Sequence, residues 1–173
     1  MRIHHLNCAS LFPLGGRLIG RSLNPKGQTH LVCHCLLIES SDGLILINTG
    51  PGLQDVLTPR KRLGSLFLRL MRPSLNVHDT AVNQVIRLGY RASDVKHIIL
   101  THLDANQVGG LDDFPNAQLH VMEAELRAAM APNKLLDRIR YPKRELLRSK
   151  SWNTYYAEGE KWFGMDAVRH LVN

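Results

Sequence analysis

The stretch HIILTHLDANQVGGLDDFPNAQLHVMEAE, residues 97–125, decides the fold. Its opening, HIILTH at 97–102, is a nearly continuous apolar run suited to a buried strand that ends at His102. Polar residues follow at 102, 104, 106 and 107, and then Gly109 and Gly110. A strand end that aims closely spaced side chains at one point is a place to build a metal site, and paired glycines let the backbone turn close against it. QLHVM at 118–122 predicts a further strand, and AELRAAM a helix closed by Pro132.

Working upstream, LILIN at 44–48 reads as a strand. It is joined through SSDG at 40–43 to another at 30–38, so the two should form a hairpin. Residues 2–8 predict one more strand, and Gly50, Pro51 and Gly52 break the chain sharply after the hairpin. RKRLGSLFLRLMRP at 60–73 spaces Leu63, Leu66, Phe67, Leu70 and Met71 as the apolar stripe of a basic amphipathic helix. Such a helix packs its stripe on its own domain and leaves Arg62 and Arg69 in water, or binds an anionic surface. DTAVNQVIRLGY predicts a helix capped by Asp79 or Thr80, with Val82, Val85 and Ile86 on one face and Gly89 as its stop. The last thirty residues, rich in Trp, Tyr and basic side chains, predict short strands and loops. Without internal repeats or linkers, the chain reads as one α/β unit.

The motif at 97–125 resembles that of the metallo-β-lactamase superfamily, and within it the lactonase-like branch. The family pattern is a hydrophobic strand, then Thr-His-x-His/Asp-x-Asp-His-x-Gly-Gly, then an Asn/Asp-Ala-x-Val/Ile-type strand. LILINTGPG upstream resembles the family strand ending in Asp-Thr-Gly. The resemblance implies zinc-dependent hydrolysis of esters or lactones, with His102 and Asp104 at the first-metal positions. Asn106 and Gln107 stand where the family has the second-metal Asp and His, and Asn48 where it has a near-site Asp. Each of these three is neutral and a poorer ligand than the residue it replaces. No catalytic residue is therefore assigned, Asn106 being at the family's Asp position.

The resemblance also implies a later Gly-His-Thr-x-Gly-His segment, beyond the position of His170. The chain is thus expected to be a single truncated domain, 1–173. That domain would be α/β, the N-terminal half of the αββα sandwich: a mixed β-sheet with helices on one face. His102 and Asp104 supply two ligands where zinc needs three and water, or four. Tight zinc binding is not expected, and the two residues stand as inert remnants or as a mononuclear site.

A chain of 173 residues that is 44% hydrophobic holds one real core, and its 21% charged residues suit a soluble globular protein. No run is long enough for a membrane span, and the N-terminus lacks the apolar stretch of a signal peptide. Three cysteines without a pairing framework suggest reduced thiols, so a cytoplasmic location is expected. Cys33 and Cys35 should share one strand face with His34 on the other, which packs them in a core and denies them a common ion. The net charge of +7 permits an anionic partner, but no nucleic-acid motif is present, and Gly15–Gly16, Gly50–Gly52 and Gly109–Gly110 match no phosphate loop.

Three functions remain open. The chain is an impaired hydrolase-family protein, an active hydrolase completed by a partner chain, or a binder of anionic surfaces through residues 60–73. A lone sheet covered on one side leaves an apolar face, which a homodimer, a partner chain or the aromatic tail at 151–173 would cover.

Overall fold

The computed structural model describes residues 1–14, 29–133, 135–141, 147, 150–163 and 165–168. Gly15, Gly16 and His170 lie outside the described residues.

Alternating apolar and polar residues build a sheet of seven strands in the order β4-β1-β2-β3-β5-β6-β7. They are β1 (Arg2–Leu11), β2 (Leu31–Ser40), β3 (Gly43–Ile47), β4 (Pro73–Ser74), β5 (Val95–Ile99), β6 (Gln118–Met122) and β7 (Trp152–Tyr155). The β2–β3 hairpin is antiparallel with Leu37 opposite Leu46, while β5, β6 and β7 add in parallel beside β3. The sheet is therefore mixed. A separate pair, β8 (Glu160–Trp162) and β9 (Met165–Val168), is antiparallel.

The helices are α1 (Leu53–Leu57), α2 (Pro59–Arg62), α3 (Ser65–Met71), α4 (Ala81–Arg87), α5 (Ala105–Val108), α6 (Glu123–Met130) and α7 (Leu135–Arg140). One sheet face carries Leu6, Cys8, Cys35, Leu37, Leu46, Ile98, Leu119 and Val121 into a core shared with Val85, Val108, Phe114 and Ala129 from the helices and their loops. Cys35 is buried there, Cys33 is buried in a smaller cluster with Ala9 and Leu11, and His34 points the other way.

The opposite face carries Ile3, Leu36, Ile38, Ile45, Ile47 and Ile99; Ile3 is exposed and the other five are half-buried. Strand register makes this one stripe, since Leu36 faces Ile47 and Ile47 faces Ile99. Imidazoles flank it, His5 and His34 at one end and His97 and His120 at the other. The aromatic segment Trp152–Tyr155 extends the sheet beside β6 instead of folding back across this stripe.

Several expectations need correction. The strand expected to end at His102 ends at Ile99, and Leu100–Leu103 continue without regular structure. The basic helix of residues 60–73 is two short helices, because Gly64 adopts φ +80° between them. Its stripe is not buried as a unit: Phe67 is 5% exposed but Leu66 is 51% exposed. Ile86, placed with Val82 and Val85, is 55% exposed, because the helix faces the core with Ala81, Val82 and Val85. No helix among the described residues is long and apolar enough to cross a membrane.

Candidate functional site: the motif between β5 and β6

The motif rests on a backbone bracket. Thr49 N–H donates to the Gln107 carbonyl at 2.9 Å, and Gly110 N–H donates to Thr49 Oγ1 and to the Gly50 carbonyl, both at 3.1 Å. Gly52 and Gly109 approach so closely that neither tolerates a side chain. A Cβ on Gly52 would lie 2.5 Å from the Gly109 oxygen, and one on Gly109 would lie 1.6 Å from Asp55 Oδ2.

Asp55, 1% exposed, accepts Gly52 N–H at 3.0 Å and the Arg62 Nε–H at 3.0 Å. The same guanidinium donates to the Gly109 carbonyl at 3.2 Å and pairs with Asp112 at 3.1 Å. Arg62, expected in water, is thus the strut beneath the motif. Beside it, Asp113 accepts Leu53 N–H at 3.0 Å, and burial pushes its carboxyl up to about 6.

Above the bracket, the motif side chains do not converge on one point. His102 Nε2 lies 3.9 Å from Asp104 Oδ2, and its Nδ1 shares a hydrogen bond with Thr101 Oγ1 at 2.8 Å. Asp104 Oδ1 is taken by Arg140 Nε–H from α7. Asn106 turns its amide to the buried Cys33, donating from Nδ2 to Sγ at 3.6 Å. Burial pushes that thiol up to about 11, so at neutral pH it is a neutral partner.

Gln107 is 8% exposed, and its buried Oε1 has no hydrogen-bond partner among the described residues. Asn48 adopts φ +58°, a conformation Asn tolerates, and spends its side chain on the strand ends. It accepts Thr101 N–H at 3.1 Å and donates to Thr101 Oγ1 at 3.0 Å.

This donor set does not fit zinc. Among the described residues no three His, Cys, Asp or Glu side chains are placed to hold one ion. The orphaned Gln107 oxygen is a weak amide donor at a position where zinc chemistry favours imidazole or thiolate.

Several other histidines pair among themselves or with neighbours. His97 Nδ1 meets His120 Nε2 at 3.0 Å, His120 Nδ1 meets Tyr155 Oη at 2.7 Å, and His4 meets Glu39 at 2.7 Å. Burial lowers the His120 pKa, which keeps it neutral in that chain.

Sequence reasoning missed Arg62, Asp55, Arg140, Glu125 and Cys33. Glu125 closes the motif stretch itself, and the others act on the motif from far along the chain, Arg140 from 36 residues away and Cys33 from 73. A basic residue in a basic stretch carries no local sign of such a partner.

Comparison with known proteins places this architecture. The family model of the Metallo-beta-lactamase superfamily matches residues 29–149. A probable metallo-hydrolase of Mycobacterium tuberculosis is 39% identical over 171 residues, which cover 99% of this chain and 50% of that protein. An N-acyl homoserine lactonase of Bacillus thuringiensis is 30% identical over 112 residues, 65% of this chain and 45% of the lactonase. The chain therefore spans about half the length of the curated relatives it matches.

Among solved structures, a single-substitution variant of B. thuringiensis AiiA with N-decanoyl-L-homoserine bound superposes with a TM-score of 0.69 at 23% identity, covering 94% of this chain and 62% of that one. A probable metal-dependent hydrolase of Staphylococcus aureus gives 0.71 at 20% identity, with 94% and 61% covered. These superpositions concern the fold. Taken with the family match across the hairpin and the motif, they lead to one conclusion: the chain belongs to the metallo-β-lactamase superfamily.

Proposed function

We propose that this chain is a metallo-β-lactamase-fold hydrolase-family protein of the ester- and lactone-cleaving kind whose own motif does not hold zinc tightly and does not turn over substrate by itself. One observation carries the reading. Of the family's motif positions only His102 and Asp104 offer strong ligands, while Asn106 is spent on Cys33 and Gln107 is a buried amide. A catalytic zinc keeps three protein ligands and an open water position, and a bridging hydroxide needs two metals. Elemental analysis of protein purified without added metal is expected to find well under one zinc per chain. Stoichiometric zinc that disappears in His102→Ala would overturn the reading.

A second reading, a hydrolase completed by a partner chain or a second copy, is favoured by the stripe of Leu36, Ile38, Ile45, Ile47 and Ile99. On this reading the chain corresponds to the N-terminal part of the family fold, and the stripe is where another sheet layer packs. Fully covering each such side chain is worth up to about 1.5–3 kcal/mol, so its half-burial is a drive to associate. Sedimentation at rising concentration is expected to show self-association that Ile47→Glu weakens by tenfold or more. A native protein that stays monomeric at high micromolar concentration and binds no apolar dye rules this second reading out.

A further inference from the structure

We propose that the Arg140 guanidinium is the resident cation of this motif, so that α7 plugs the place where a metal would engage Asp104. The proposal rests on the preceding reading that zinc is not tightly held, and it adds what occupies the carboxylate instead.

The seat of Arg140 has three walls. Nε donates to Asp104 Oδ1, and Nη2 lies 3.8 Å from Glu125 Oε1 on α6. The guanidinium carbon stands 5.0 Å from the ring centroid of Tyr141, a buried residue. Glu125 is itself anchored to the motif, because its Oε1 accepts Leu103 N–H at 2.8 Å. One guanidinium therefore ties α7, α6 and the segment between His102 and Asp104. Its planar fork suits two carboxylates and an aromatic face at once, which a lysine ammonium would match poorly.

The two oxygens of Asp104 are divided. Oδ1 belongs to Arg140, and Oδ2 looks towards His102 Nε2 at 3.9 Å. A dication bridging His102 and Asp104 would sit beside a fixed positive charge and compete with it for the same carboxylate. The charge that a metal would bring to Asp104 is already supplied by the chain, and α7 would have to release Asp104 for a metal to take it.

Two measurements on the full chain test this. Zinc affinity is read by competition with a chromophoric chelator for the native protein, Arg140→Gln, Asp104→Asn and the double variant. Arg140→Gln is expected to bind zinc about three- to tenfold more tightly than the native protein, and Asp104→Asn is expected to abolish that gain. An unchanged affinity in folded Arg140→Gln overturns the proposal.

The second measurement involves no metal. In the presence of chelator, urea unfolding of the same four proteins is expected to show favourable coupling between positions 104 and 140. It should amount to about a two- to fivefold change in the folding constant and shrink with added salt. Strict additivity overturns the proposal whatever the zinc content. Tight zinc in the native protein would refute the preceding reading and the plug with it, whereas additivity with weak zinc refutes the plug alone.

Discussion

The bracket beneath the motif and the side chains above it meet at the same short stretch, yet they are built on different physics. Below, Gly52, Gly109, Thr49, Asp55 and Arg62 are closed by contacts of 2.9–3.2 Å that admit no added atom. Above, His102 and Asp104 face each other at 3.9 Å while Asn106 and Gln107 turn elsewhere, and one polar atom finds no partner among the described residues. A bracket of that kind fixes the course of the backbone whatever ligands it presents. Backbone geometry and coordinating power are thus separable in this fold, and the chain carries the first with little of the second.

The sharpest way to break this contrast is Gly109→Ala. Its Cβ would be driven into Asp55, and the buried Asp55–Arg62 pair would have to open. A loss of about 3 kcal/mol or more is expected, seen as a fall in melting temperature of roughly 6–12 °C. His102→Ala, above the bracket, is expected to stay within about 1 kcal/mol of the native protein. Equal losses for the two substitutions would abolish the distinction.

Asp113 sharpens it through pH. Its folded pKa, about 6, lies above the roughly 3.9 of an unfolded aspartate, so the folded chain binds more protons between those values. Stability contributed by the protonated form is present below the unfolded value and declines as pH rises through about 6. Asp113→Asn removes that decline. Its stability relative to the native protein is expected to improve by about 1–2 kcal/mol between pH 4 and pH 7.5, after allowance for partial solvent screening. Burial raises the Asp55 pKa as well, in the same sense, and that contribution remains in the variant. Parallel stability–pH curves for the two proteins would show that Asp113 is not buried as a charge.

The smallest expected effect is at Gln107. Gln107→Met keeps the volume and removes an unsatisfied buried oxygen, so it is expected to gain up to about 1 kcal/mol in urea unfolding. A loss of similar size would mean that the amide has a bonded role at the motif.

The order of elements was legible from hydrophobic period. The β2–β3 hairpin, β5, β6 and the helix after it all stand near their expected places, because their burial alternates with the strand or helix repeat. The split face of Cys33, His34 and Cys35 followed from the same rule. Period misled where it was applied across Gly64, since a single residue at φ +80° ends the helical phase on which the stripe at 60–73 depended. It misled again at Ile86, whose helix buries only the face of Ala81, Val82 and Val85.

By itself the sequence determined the family motif, the neutral residues Asn48, Asn106 and Gln107 within it, and the mixed α/β pattern around it. Those are properties of residue type and near spacing, which a linear string preserves. Tertiary structure alone decided that Arg62 is a strut and not a surface charge, that Arg140 takes Asp104, and that Asn106 spends its amide on Cys33. It also decided that the apolar stripe of the sheet is left half-covered. The reason is that an ion pair or a hydrogen bond is a relation between two positions. Where those positions are 36 or 73 residues apart, neither one's neighbours in sequence say which partner the fold will bring.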